Sequence, residues 1–285
     1  MISQTEPPRP RRSVLYTPAV NARAVDKART LPCDVVVLDL EDAVGRQAKE
    51  EARAQAVAIV TAGGFGRREL AVRCNGLDTP WGAADLRAVA AAGVKIAVLP
   101  KIETPQAVLD AHALTGGAVR LWAMVETCPA VLNLPALAAA AGATRLEGLM
   151  VGSNDLAAQM RCRPGPGREP LWGALQATVT AARAFGLLAF DGTFNDIADE
   201  AGLIAQCRQG SDFGFDGKTL IHPAQIDAAN QAFSPAPEQL AWARRVIEAY
   251  GAQPAAGVLK VDGRMTERLH LEEARRLVAL ADEIL

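Results

Sequence analysis

Short apolar runs alternate along the chain with longer stretches that mix apolar and charged residues at helical spacing. The runs Ser13–Tyr16, Val35–Asp39, Leu70–Cys74, Ile96–Leu99, Val119–Val125, Leu146–Val151 and Leu187–Phe190 predict seven strands. Unbroken apolar runs rich in β-branched residues are how strands buried on both faces read. An eighth strand is predicted at Phe213–Phe215 or at the neighbouring Thr219–Ile221. Between them the spacing predicts helices over Asn21–Leu31, Gln47–Thr61, Pro80–Ala92, Pro105–Leu114, Val131–Ala141, Trp172–Phe185, Ile197–Gln209 and Pro223–Ala232. A further helix after Val151 is interrupted by the Pro/Gly-rich loop at 163–170. Asn21 and Thr79 stand where helix caps belong. Strict alternation of strand and helix requires parallel pairing, and eight units suggest an α/β fold of the (β/α)8 TIM-barrel type over an open sheet.

This pattern divides the chain into a flexible N-terminal arm at 1–12, a barrel at 13–234 and a C-terminal extension at 235–285. Pro235 and Pro237 mark the second boundary. The extension is predicted to hold a helix at Glu238–Tyr250, a short strand at Gly257–Val261 and an amphipathic helix at Thr266–Ile284. Such a tail packs either on its own barrel or over a neighbour's, and the second choice implies an oligomer.

Composition narrows the function. The chain has 285 residues, half of them hydrophobic, and a formal net charge of −2. A single barrel of ~250 residues fits that length as well as two domains of ~150. The charge gives no general polyanion-binding character, so no nucleic-acid partner is expected. No apolar run reaches the ~20 residues that cross a bilayer, and no signal-peptide core follows the N-terminal arginines; we expect a cytoplasmic protein without a membrane partner. Five cysteines without a Cys-x-x-Cys and three scattered histidines argue against a disulfide framework and a Cys or His metal site. A metal here would be held by carboxylates, which suits Mg2+.

Candidate chemistry clusters where strands end. The strand at Val35 runs into Asp39, Glu41 and Asp42. Others run into Arg73, Lys101 with Glu103, Glu126, Asp155 and Asp191. In a barrel these ends form one mouth, the face that carries chemistry. A plain alternative for residues 39–42 is a solvated helix start. Glu126 and Asp155 close successive strands and make the best metal pair; the structural alternative is a salt-bridge partner and a helix cap. Arg73 offers a planar fork for a carboxylate or a developing oxyanion, or else a structural partner for Glu41 or Asp42. Lys101 is a candidate Schiff-base lysine, with an ion pair to Glu103 the favoured reading.

Taken in order, these motifs resemble the citrate lyase β-subunit family, which includes the malyl-CoA and citramalyl-CoA lyases, within the HpcH/HpaI aldolase-like superfamily. The segments that carry the resemblance are Arg12–Pro18, Leu38–Val44, Val72–Asn75, Pro100–Glu103, Val125–Thr127, Gly152–Leu156, Asp191–Asp196, Gly214–Pro223 and Val261–Met265. It covers nearly the whole chain after residue 11.

The resemblance implies a Mg2+-dependent carbon–carbon lyase, an oxo-acid-lyase, that cleaves or forms a 3-hydroxyacyl-CoA thioester through a thioester enolate. Glu126 and Asp155 match the family's metal ligands, with Glu126 also near substrate. Arg73 matches the arginine that meets substrate, and Glu41 and Asp42 match acids that support the metal and its waters. The resemblance further implies homotrimers or hexamers in which the tail covers a neighbouring barrel. One position departs: where the CoA lyases carry a proton-transferring Asp two residues after the tail Met, this chain has Glu267. The longer side chain changes reach and pKa, both of which govern proton transfer. Arg12, Arg23 and Lys27 are candidate contacts for the phosphates of a CoA or acyl-carrier arm, with surface solvation the alternative for each. Competing activities are a citrate lyase β subunit acting on a carrier-bound citryl thioester, a malyl-CoA-type thioesterase, and a non-catalytic barrel.

Overall fold

Alternation along each strand decides what the barrel contains. Val14 and Tyr16 of β1 (Ser13–Pro18), Val35 and Val37 of β2 (Val35–Asp39) and Ala71 of β3 (Glu69–Arg73) point inward. Ile96 and Val98 of β4 (Ile96–Leu99), Trp122 and Met124 of β5 (Arg120–Val125), Met150 of β6 (Leu146–Val151) and Phe190 of β7 (Leu188–Asp191) complete this inner cluster. The residues of opposite parity, such as Val36, Leu38, Val72, Ala97 and Leu149, pack outward in a larger core with helix residues such as Val25, Ala52, Leu86 and Val108. Period two in the strands therefore builds two cores separated by one sheet.

The computed structural model describes residues 9–284. Its eight parallel strands pair in sequence order and close through β1 and β8 (Gly217–Leu220), with Ser13 opposite Lys218. The chain is an α/β (β/α)8 TIM barrel, and the open-sheet alternative is excluded. Helices α1 (Ala22–Ala28), α2 (Lys49–Ala62), α3 (Gly82–Ala91) and α4 (Pro105–Leu114) follow the first four strands. After β5 come α5 (Cys128–Leu132) and α6 (Leu134–Ala139); α7 (Ser153–Met160) and α8 (Trp172–Ala184) follow β6, α9 (Glu200–Phe213) follows β7, and α10 (Ile226–Ala232) follows β8. Asn21 caps α1 through its side chain, as expected. Thr79 accepts weakly from Trp81 and Gly82, and α3 begins at Gly82 rather than Pro80.

Three elements differ from expectation. The single helix expected over Val131–Ala141 is split, because Pro135 has no N–H for the carbonyl of Val131. The last strand is not Phe213–Phe215: Phe213 ends α9, and Gly214 terminates that helix at φ +93°. The tail contains two strands, β9 (Val258–Val261) and β10 (Arg264–Glu267), where one was expected. They pair antiparallel across Asp262–Gly263, both at positive φ, a two-residue hairpin turn that holds Thr266 and Glu267 in a strand rather than in the final helix.

The described residues form two compact units. One is Arg11–Phe233, the barrel; the other holds the residues from Ser234 on, with α11 (Pro237–Ala252), the β9–β10 hairpin and α12 (Arg268–Ile284) around Val246, Tyr250 and Leu271. Most of the expected N-terminal arm lies outside the described residues. Its end is fixed: Arg11 pairs with Glu69 at 2.5 Å and Arg12 with Asp34 at 2.8 Å. Arg11, Glu69, Arg120 and Glu147 form an ionic layer at the strand starts, to which Trp122 donates its indole N–H at 2.9 Å. The layer closes the end of the barrel opposite the mouth.

Candidate active site

The inward parity that fills the barrel also aims three functional groups at its mouth. Asp39 continues the row of Val35 and Val37, Arg73 that of Ala71, and Glu126 that of Trp122 and Met124. Each follows a run of apolar residues, so each is both buried and held by rigid strand backbone. Asp39 is 2 % exposed, Arg73 7 % and Glu126 1 %.

Asp39 organises the loop after β2. Its Oδ1 accepts from Arg73 Nε at 2.7 Å and from the Glu41 N–H at 2.9 Å. Its Oδ2 accepts from Arg73 Nη2 at 2.6 Å and from the Ala43 N–H at 3.1 Å. The remaining guanidinium nitrogen, Nη1, faces Glu41 at 2.9 Å and Asp42 at 3.3 Å. The Tyr16 ring lies beneath the guanidinium, 4.6 Å from its carbon, and the Tyr16 hydroxyl donates to Met150 Sδ at 3.1 Å. Lys49, buried on the first turn of α2, donates to the carbonyls of Leu40 and Glu41 at 2.9 and 2.7 Å. Arg73 thus has an oriented plane and one edge turned toward the acids of the mouth.

Glu41 links this group to Glu126. Lys101 Nζ meets Glu41 Oε1 at 3.2 Å, and the Lys101 N–H donates to Glu126 Oε1 at 2.7 Å. Burial, with the Glu41 and Asp155 carboxylates adding to it, pushes Glu126 up to about 7 against the opposing Lys101 N–H. Glu41 is raised by burial and by Asp42, with Arg73 and Lys101 opposing. Asp155 is exposed in the first turn of α7 and is not its N-cap, a place taken by Gly152. Glu126, Asp155 and Lys101 line one cavity of about 570 Å3, with Asp78, Glu103, Thr127 and Gln159 on its other walls. Among the described residues no three His, Cys, Asp or Glu converge as a metal-ligating group. Glu126 and Asp155 are a pair of hard oxygen donors beside further negative charge.

The structure brings together Arg73, Glu41, Asp42 and Glu126, with Asp155 on the same cavity as Glu126. Glu267 belongs to the other compact unit, as the last residue of β10, where its N–H donates to His270 Nδ1. Three expectations are corrected. Asp191 is not at the mouth: it has the opposite parity to Phe190, is fully buried, and pairs with Lys218 at 2.8 Å and Arg168 at 2.7 Å behind the sheet. Lys101 pairs with Glu41 rather than Glu103, and its pKa is raised; burial would lower it, but Glu41, Glu126 and Asp155 outweigh burial. A Schiff-base lysine needs the opposite shift. Arg12 lies at the strand-start end with Asp34, away from any substrate at the mouth, whereas Arg23 and Lys27 lie exposed on α1.

Comparisons with known proteins identify the family of the chain. Residues 12–223 match the model of the family HpcH/HpaI aldolase/citrate lyase. The chain is 43 % identical to a (3S)-malyl-CoA thioesterase of Cereibacter sphaeroides over 96 % of both chains. It is 32 % identical to the citrate lyase subunit beta of Escherichia coli, covering 96 % of this chain and 94 % of that one. Its fold matches the CitE protein of Mycobacterium tuberculosis, solved in complex with magnesium, acetoacetate and coenzyme A, with TM-score 0.78 and 32 % identity over 95 % of this chain and 97 % of that one. The chain belongs to the HpcH/HpaI aldolase/citrate lyase family.

Proposed function

We propose that the protein is a Mg2+-dependent carbon–carbon lyase that splits a 3-hydroxyacyl-CoA thioester of the malyl-CoA or citramalyl-CoA type into a keto acid and an acyl-CoA. The observation that carries this reading is the continuous chain of contacts from Arg73 through Glu41 and Lys101 to Glu126, beside Asp155. The donor set fits the metal: two carboxylates, one at the end of a strand and one on a helix, with the remaining positions left to water and substrate oxygens. Glu126 and Asp155 would hold it, with Glu41 and Asp42 around it. Bound there, Mg2+ would supply hard Lewis-acid polarisation of the hydroxy-acid oxygens.

The protein's own groups account for the remaining steps. Glu41 takes the proton of the substrate hydroxyl as the C–C bond breaks. The bonding electrons move onto the thioester oxygen, and the Arg73 guanidinium, already oriented by Asp39 and Tyr16, stabilises that developing negative charge. Glu267 of a second copy returns a proton to the enolate carbon, which yields the acyl-CoA. In this reading the segment 235–285 covers a neighbouring barrel in a homotrimer or hexamer. Arg23 and Lys27, exposed on α1, meet the phosphates of the CoA arm. The five free cysteines suit a reducing, cytoplasmic setting.

A second reading is thioester hydrolysis, favoured by the 43 % identity to malyl-CoA thioesterases. Incubation of the purified chain with Mg2+ and malyl-, methylmalyl- or citramalyl-CoA separates the two. Keto acid without free thiol supports the lyase; free thiol without keto acid replaces it with the thioesterase. Neither product would redirect the reading to a carrier-bound citryl thioester.

A further inference from the structure

Two separate parts of Lys101, its backbone and its ammonium, are engaged at the mouth. Its backbone is left-handed, at φ +52°, a conformation that lysine adopts at a cost and glycine freely. That turn aims its N–H at Glu126 Oε1, 2.7 Å away. Its ammonium reaches back to Glu41 Oε1 at 3.2 Å while Arg73 holds the other oxygen of the same carboxylate at 2.9 Å. The side chain remains 44 % exposed toward the cavity. Among the described residues lining that cavity, Lys101 is the one cation, facing Asp78, Glu103, Glu126 and Asp155.

We propose that Lys101 is a positioning residue that acts as a tethered counter-cation: its amide fixes Glu126, and its ammonium orients Glu41 and lowers the affinity of the mouth for a divalent cation. The inference rests on the metal-dependent reading given above. A fixed positive charge that shares this cavity with Glu126 and Asp155 repels an incoming divalent ion. A residue retained only for packing would, when truncated, weaken folding and metal binding together. A counter-cation gives the opposite signature: its removal tightens metal binding while turnover falls, because Glu41 loses one of its two anchors.

The test is calorimetric titration of the full-length protein with MgCl2, with kcat on malyl-CoA and the melting temperature measured alongside. Lys101→Met keeps the backbone demand and the stem length but removes the charge. It is expected to bind Mg2+ ~5-fold more tightly than the wild type. Its kcat is expected to fall ~10-fold or more with a smaller change in KM. Lys101→Arg restores the charge and should return both values toward wild type. Unchanged or weaker Mg2+ binding in Lys101→Met, at a melting temperature near wild type, overturns the proposal. If that variant melts well below the wild type, Lys101→Gln, which keeps a donor for Glu41 without the charge, gives the deciding titration by the same criterion. Glu126→Gln separates the effect of Lys101 from metal binding itself. Heat from the wild type that vanishes in Glu126→Gln but is unaltered in Lys101→Met sinks the inference alone; no heat from the wild type sinks the metal reading with it.

Discussion

Asp39→Asn tests how the mouth is held together. The carboxylate accepts four hydrogen bonds, two on each oxygen: Arg73 Nε and the Glu41 N–H on one, Arg73 Nη2 and the Ala43 N–H on the other. Asparagine keeps the shape but replaces one oxygen with an NH2, so two donors lose their acceptor and face a donor. At ~1–3 kcal/mol for each group left unsatisfied, the cost is about 2–6 kcal/mol. Breaking a buried ion pair by removing one partner costs about 3–5 kcal/mol, and Glu41 and Asp42, which still face Nη1, place this case within that range. Both routes converge on about 4 kcal/mol. For a barrel of this size ~2–4 °C per kcal/mol converts that to a fall of roughly 8–16 °C in melting temperature, read by calorimetry at pH 7. Arg73→Met alone should also destabilise. The double variant should be better than the sum of the two by about 2 kcal/mol or more, because the groups act as a unit. A fall under about 3 °C for Asp39→Asn, or additivity within ~0.5 kcal/mol, would refute the view that this pair is the keystone of the mouth.

Asp155→Ala should leave the melting temperature within about 2 °C, since the side chain is exposed, while abolishing Mg2+-dependent turnover; survival of that turnover would remove Asp155 from the metal site. Gly152→Ala should keep the fold yet cost ~100-fold in turnover, because a Cβ there would overlap Glu126 Oε2 and lie 2.5 Å from Glu126 Cβ; wild-type kinetics would show that Glu126 need not sit where it does. Glu69 and Asp191 have folded pKa values below their unfolded ones: burial works to raise both, but Arg11 and Arg120 outweigh it for Glu69, and Lys218 and Arg168 for Asp191. Their stabilisation is therefore complete above the unfolded values of about 4.3 and 3.9 and is lost as pH falls through the lower folded values. Melting curves should show this acid loss, and Glu69→Gln should flatten it; an unchanged acid slope in that variant would contradict the assignment.

The barrel was legible because both of its faces write themselves into the sequence. Unbroken runs such as Val35–Leu38 satisfy an inner core with one parity and an outer core with the other, and glycines, prolines and caps mark the turns. The same parity rule carries more about the site than strand ends alone do. It places Asp39 with Val35 and Val37, and Arg73 with Ala71, inside the barrel. It also assigns Asp191, out of phase with Phe190, to the helical layer, where it meets Lys218 and Arg168. Position at a strand end carries no phase, so by that signal Asp191 is expected at the mouth alongside Asp39, and Asp39 is not singled out from Glu41 and Asp42. Tyr16 could have been found by the same rule, since it shares the parity of Val14. Lys49 could not: a lysine in a first helical turn carries no signal that it will fold back onto two carbonyls nine and eight residues earlier. Nor does the run Pro100–Lys101–Ile102 reveal that Lys101 turns left-handed to offer its amide to Glu126.

The central claim is that the barrel mouth works on a CoA thioester through a divalent cation held by Glu126 and Asp155. Its most direct test is the release of keto acid from malyl-CoA by the full-length protein, measured as purified, after EDTA treatment and after Mg2+ is restored. The account predicts release that stops with EDTA and returns with Mg2+, and that neither Glu126→Gln nor Asp155→Ala recovers. Release that continues unchanged after metal removal would contradict it.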